Sequence, residues 1–134
     1  MTTNNTNAKI HKPELKILYP ELSYQITGIC FEVQNRLGRF AREKQYCDLL
    51  EELFEHSSIS FKREFTINGT GNRIDFLIAD VIIVEVKVIP FILKREFDQA
   101  RRYLDITNLE LALLVNFREK YLKPQRVLNP STIR

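Results

Sequence analysis

The 134-residue sequence predicts an α+β domain, with helices packed on a small mixed sheet in the order ααβββαβ. Three observations predict it. Apolar residues recur at helical spacing across the first half of the chain. From Ile59 the pattern changes toward strand alternation, and the turns there are too short for crossovers. A further helical stretch then separates the last strand from the others, which permits its return in parallel.

The polar, Thr- and Asn-rich stretch 1–14 reads as a flexible tail, and 15–134 as one domain. Leu15 to Pro20 is a short apolar approach. The first helix is expected from an N-cap at Ser23 to about Leu37. Ile26, Ile29, Cys30, Val33 and Leu37 share one face, and Gly38 is the stop. A second helix is expected over Ala41 to His56, with Tyr46, Leu49, Leu50, Leu53 and Phe54 as its apolar stripe. Ile59 to Ile67 is a strand that ends in the turn Asn68-Gly69-Thr70-Gly71-Asn72. Arg73 to Ile78 is the next strand, Ala79-Asp80 a tight reversal, and Val81 to Ile89 the central strand by apolar content. These three form an antiparallel meander. Phe91 to Leu104 reads as the third helix and Leu109 to Phe117 as the last strand. The segment from Lys120 on, with Pro124 and Pro130, reads as irregular.

Composition bounds the function. A hydrophobic fraction of 44% with 28% charged residues suits a folded globule. The net charge of +3 permits a polyanionic partner without requiring one. The cations cluster, however: Lys94, Arg95, Arg101 and Arg102 in one group, Arg118, Lys120, Lys123, Arg126 and Arg134 in another. No apolar run approaches the roughly 20 residues that cross a bilayer, and the N-terminus lacks the apolar stretch of a secretory signal. A cytoplasmic protein with no membrane partner is expected. Cys30 and Cys47 lack metal-ligand spacing and read as reduced core thiols. His11 and His56 offer no nucleophile–base arrangement, and Gly69 and Gly71 do not lead into a phosphate-binding helix.

The chemistry concentrates in two adjacent strands. Asp75 lies on Arg73 to Ile78, expected on one face with Arg73 and Leu77 while Ile74, Phe76 and Ile78 share the other. Glu85 and Lys87 lie two residues apart in a Val/Ile run and therefore share a face. A carboxylate and an ammonium are costly to bury unless they serve each other or a metal. Two carboxylates can hold Mg²⁺ or Mn²⁺, and the lysine can steady a developing phosphate charge. The bland alternative is an ion pair at a sheet edge. Gln99 and Tyr103 form an i, i+4 pair on the third helix, which can fold back over Lys87. Glu43 or Glu32, on the earlier helices, could complete a metal site.

Together these residues resemble the PD-(D/E)xK nuclease superfamily. Asp75, Glu85-Val86-Lys87 and Gln99-Ala100-Arg101-Arg102-Tyr103 match its acid strand, its E-x-K strand and the Q-x-x-x-Y element of its RecB-like branch. The run from Glu32-Val33-Gln34 through Leu37-Gly38 to Glu43 and Tyr46 is similar to the hallmark of the GxxExxY proteins within it. Phe40 stands where that family has a second glycine, and Gln34 where a histidine is usual. The closing strand Leu113-Leu114-Val115-Asn116-Phe117 also fits.

The resemblance implies a restriction-endonuclease-like fold and metal-dependent hydrolysis of nucleic-acid phosphodiesters, with DNA favoured over RNA. It implies Asp75, Glu85 and Glu43 as ligands of Mg²⁺ or Mn²⁺, with the Val86 carbonyl a further candidate. Lys87 would act on the attacking water, and Gln99 would orient Lys87 or the substrate. Tyr103 would pack under Gln99 or touch nucleic acid, while the clustering of Lys94, Arg101 and Arg102 by itself makes them candidates to hold a phosphate backbone. The apolar Leu109 to Val115 strand is a candidate homodimer interface. An alternative from another class is a catalytically silent module that keeps the fold and binds nucleic acid or a protein.

Overall fold

The computed structural model describes residues 18–67 and 69–132. The expected tail, His11, residues 15–17 of the apolar approach, Asn68 and Arg134 lie outside the described residues. The element order is α1 (Pro20–Leu37), α2 (Glu43–His56), β1 (Phe61–Thr66), β2 (Arg73–Ile78), β3 (Ile82–Lys87), α3 (Lys94–Thr107), β4 (Leu111–Asn116) and β5 (Gln125–Leu128). The five strands form one sheet in the order β1-β2-β3-β4-β5. This is the α+β, restriction-endonuclease-like arrangement that the sequence predicts.

The meander is antiparallel, and β3 pairs with β4 in parallel through α3, with Glu85 beside Leu114 and Lys87 beside Asn116. Helices cover both faces. Ile26, Cys30 and Val33 of α1 and Leu50 and Phe54 of α2 pack on Ile82, Val84, Val86, Leu113 and Val115. On the other face Ala100, Tyr103 and Leu104 of α3 pack on Ile83, Ala112 and Leu114. A strand buried on both faces explains why β3 and β4 read as nearly continuous apolar runs.

Several boundaries differ from expectation. Helix α1 starts at Pro20, because proline at the first helical turn has its φ already set and loses no hydrogen bond there. Ser23 is therefore inside the helix and buried, where its Oγ accepts from Arg126 Nη1 at 3.1 Å. Helix α2 starts at Glu43, with Arg42 N–H donating to Gln45 Oε1 at 2.9 Å. Helix α3 starts at Lys94, where Glu96 Oε1 accepts from Leu93 N–H at 2.7 Å, and ends at Asn108 in the left-handed conformation. Phe91 is left in an exposed loop.

Strand β5 replaces the irregular chain that the sequence predicts there. It is only four residues long, sits between two prolines and buries Val127 alone, so its own pattern is weak. Its Arg126 also donates to the Leu18 carbonyl at 3.0 Å, tying the sheet edge to the start of α1. With β5 on its outer edge, β4 is flanked on both sides and buried at every position. Leu111 to Val115 of the candidate dimer interface are thus enclosed in the sheet and buried within the chain. Among the described residues no helix is long and apolar enough to cross a membrane.

Candidate active site

Strand β2 changes character at Asp75. Regular alternation would put Ile74, Phe76 and Ile78 on one face. Instead Ile74 packs with α3, while Phe76 and Ile78 pack with α1 and α2. Asp75 has no ladder partner on either side: β1 pairs around it through Arg63↔Phe76 and Phe65↔Ile74, and the β3 ladder stops at Phe76↔Val84. Glu64, which stands opposite Asp75 in the β1 register, takes φ of 55°. The strand rotates here, and the equal-faces expectation fails for that reason.

The rotation leaves backbone groups without ladder partners, and the two acids supply them. Asp75 N–H donates to Glu85 Oε2 at 2.9 Å, and Val86 N–H donates to Asp75 Oδ2 at 2.7 Å. Each carboxylate thereby anchors to the other residue's strand. Glu85 is 4% exposed. Burial, and then the Asp75 charge, raise its pKa to about 8. Burial also raises Asp75, opposed by the Val86 hydrogen bond and the Lys87 charge. Lys87, half-buried at the end of β3, donates from Nζ to Gln99 Oε1 at 2.8 Å and lies 3.9 Å from Glu85 Oε1. Helix α3 thus folds back over Lys87 and brings Gln99, twelve residues on, to its ammonium. The Tyr103 hydroxyl is raised by burial and next by the Glu85 charge.

Glu43, the first residue of α2, lines a cleft of about 280 Å³ with Lys44, Cys47, Arg63, Glu64 and Asp75. Its carboxyl is raised by burial first and by the Asp75 charge second, with Lys87 opposing. It thus faces the same electrostatic site as the strand residues. Glu32 does not: it is exposed and paired with Arg36. Lys94 and Arg101 are exposed on α3 and engaged with Asp98, and Arg102 is exposed on the same helix.

Arg63, and the contacts of several residues around the acids, are not visible in the sequence. Arg63 Nη1 donates to Asp48 Oδ1 at 2.8 Å and Glu51 Oε1 at 2.7 Å, forming one wall of the cleft. The available signal was a charge at an inward position between Phe61 and Phe65. Cys47 is a buried free thiol, its pKa pushed up to about 12 by burial and then by the charges of Asp75 and Glu43. It therefore stays protonated at neutral pH. Gln34 Nε2 donates to the carbonyls of Phe117 at 3.0 Å and Glu119 at 2.7 Å. Asn116, fully buried, brackets the loop after β3 by accepting from Ile89 N–H at 3.1 Å and donating to its carbonyl at 2.8 Å. Tyr46 stacks on Phe117 with centroids 4.3 Å apart and donates its hydroxyl to the Gly38 carbonyl at 2.5 Å.

A family model described as the PD-(D/E)XK nuclease superfamily matches residues 20–127. The chain belongs to that superfamily. It is also similar in fold to the crystal structure of SSO0001, with a TM-score of 0.50 at 18% sequence identity. That match covers 84% of this chain and 58% of the other, so the chain spans little more than half the length of that relative. No curated protein matches the chain significantly.

Proposed function

We propose that this protein is a divalent-metal-dependent nuclease acting on phosphodiester bonds through Asp75, Glu85 and Lys87, with DNA its first substrate candidate. The observation that carries the reading is the cross-bonding of Asp75 and Glu85 over a local rotation of β2, with Lys87 Nζ 3.9 Å from Glu85. Holding two acids together against their repulsion is unfavourable for stability and useful for binding a cation.

The donor set fits a hard divalent ion. Both acids are desolvated, and each raises or is raised by a neighbouring carboxylate. Each has one oxygen engaged by a backbone N–H and a second that is not. Among the described residues no three His, Cys, Asp or Glu side chains form a metal-holding group by themselves. Asp75 and Glu85 would hold part of the shell, with Glu43 close enough in charge to add to it, and water and substrate oxygens the remainder. Mg²⁺ ordinarily keeps several waters in this way. The ion, when bound, would polarise the phosphate and make water a better nucleophile.

The chain's own groups do the rest. Gln99 fixes the Lys87 ammonium through the 2.8 Å hydrogen bond, so the cation is held in place before substrate arrives. Lys87 steadies charge that develops on the phosphate oxygens and orients the attacking water. Tyr103 shares a side-chain hydrogen bond with Gln99, which limits the movement of the amide. Placement within the GxxExxY branch rests on Gly38, Glu43 and Tyr46. The Phe40 departure does not disturb the turn: Gly38 has φ of 76°, whereas Phe40 is outside the left-handed region and needs no glycine.

The test is a cleavage panel of labelled single-stranded, duplex, flap and branched DNA, and RNA, with Mg²⁺, Mn²⁺ or EDTA. Asp75→Asn is expected to keep the fold and abolish metal-dependent cleavage, and Lys87→Ala to lower it by at least about 10²-fold. Unchanged cleavage by rigorously purified Asp75→Asn sinks the assignment. The second reading is a silent nuclease-fold module that binds nucleic acid or a protein partner without cleaving. Folded protein that binds nucleic acid but shows neither cleavage nor Asp75-dependent metal binding would select it.

A further inference from the structure

A cleft of about 670 Å³ opens beside the site, lined by Arg39, Phe91, Arg118, Lys120, Tyr121 and Lys123 among others. It lies outside the cross-bonded acids, yet two connections tie it to them. Lys87 accepts from Phe117 N–H through its carbonyl at 3.0 Å, and Arg118 follows directly. The chain leaving Lys87 reaches the cleft at Pro90, a Cα path of at most about 11 Å.

Its side chains are of two kinds. Four are cations, Arg39, Arg118, Lys120 and Lys123, against the one carboxylate of Glu119. None of the four forms an ion pair with any described residue, whereas the α3 cations Lys94 and Arg101 both pair with Asp98. The other kind is aromatic. Phe91 is 75% and Tyr121 81% exposed, although burying rings of this size would ordinarily be favourable. Phe40 joins them at the rim, also 75% exposed, with the Arg39 and Arg118 guanidinium carbons 5.1 Å and 5.5 Å from its centroid. Lys120 Nζ lies 5.4 Å from the Tyr121 ring. The orphaned buried side-chain donor among the described residues, Arg118 Nε, belongs to the same group.

The cleft is also braced. Gln34 clamps the 117–119 backbone from α1, and Arg39 Nε donates to the Arg118 carbonyl at 2.8 Å. So the two positions at which the chain departs from the GxxExxY pattern, Gln34 and Phe40, both act here rather than at the acids.

We propose that this cleft binds an unpaired polynucleotide strand and leads it to the Asp75–Glu85 site. Uncompensated cations hold the phosphates. Exposed rings can stack only on bases whose faces are free, which a duplex covers with neighbouring bases and an unpaired strand does not. The direction of the strand toward the acids rests on the nuclease reading; the binding itself does not.

The test is fluorescence anisotropy in EDTA, where cleavage plays no part, on full-length protein. Probes are fluorescein-labelled oligothymidylate, oligouridylate and a duplex of equal length, with oligoglutamate as competitor. Phe91→Ala/Tyr121→Ala is expected to weaken unpaired-strand binding by at least about five-fold, the low end for loss of one base–ring stack. Duplex binding should change little. Lys120→Gln/Lys123→Gln should lower the slope of log affinity against log salt by about 1.4. The preferred sugar is read from the thymidylate and uridylate arms. All four positions lie on the surface, and matching circular dichroism and melting temperature establish that the variants are folded. Equal binding of strand and duplex, no effect of either double variant, or full competition by oligoglutamate overturns the proposal. A wild type that binds unpaired strands through these rings but never cleaves keeps this groove and removes the nuclease reading. Cleavage with no dependence on the rings does the reverse.

Discussion

At the scale of single residues, Glu85 carries an uncommon protonation state. Its folded pKa lies at about 8, well above the ordinary carboxylate range. Between those two values the folded chain binds more protons than the unfolded one. Stability of the metal-free protein therefore falls as pH rises through that window. Asp75 and Glu43 are raised too and add to the slope. Glu85→Gln keeps an oxygen able to accept from Asp75 N–H and removes the buried charge. In EDTA it is expected to melt above the wild type at pH above about 8 and to lose most of the excess at acidic pH, where Glu85 is neutral anyway. Melting curves across pH check this, and a wild type whose stability is flat over the window contradicts it.

At the scale of elements, the rotation in β2 is matched by a distortion in its neighbour. Glu64 holds φ of 55° in β1 while its side chain reaches Arg73 Nη1 at 3.2 Å on the surface. A left-handed backbone costs a non-glycine residue about 1–2 kcal/mol, and an exposed ion pair returns at most about 1 kcal/mol. Glu64→Gly should therefore change stability by less than about 0.5 kcal/mol, since relief of strain offsets the added chain entropy. Lys62→Gly, two residues earlier at another exposed β1 position, should lose about 1 kcal/mol. Urea unfolding of both variants decides it: equal losses would mean that the Glu64 backbone is not strained.

At the scale of the molecule, two cores sandwich one sheet, and the acids sit where its central antiparallel pair separates. Any ligand that satisfies both carboxylates should therefore stabilise the whole fold, by about 2.7 kcal/mol at a concentration one hundred times its dissociation constant. Mn²⁺ or Mg²⁺ is expected to raise the melting temperature of the wild type, and more so as pH increases, because the ion competes with protons for Glu85. Asp75→Asn and Glu85→Gln should show little or no rise. Calorimetric melting with and without metal distinguishes this from general ionic strength, for which NaCl of equal ionic strength is the control.

How much was legible follows from what kind of signal each feature carries. The acids, the lysine and the α3 glutamine sit at fixed spacings on regular elements, and a charge inside an apolar run is visible without coordinates. The parallel return of β4 was legible too, because a helix-length segment separates it from β3. Strand β5 was not, since a short polar segment becomes a strand only when a neighbouring edge offers it partners. The rotation at Asp75 was equally hidden: periodicity assumes a regular pleat, and Asp75 and Glu85 cross-bond where the pleat fails. The sequence by itself determined the fold class, the order of elements and the residues that carry charge into the sheet, because these depend on local spacing and burial. Only the tertiary structure decided that Asp75 and Glu85 bond across strands, that Glu43 rather than Glu32 faces them, and that Gln34 and Phe40 serve a separate basic and aromatic cleft. Those relations join residues distant along the chain, and no local pattern encodes them.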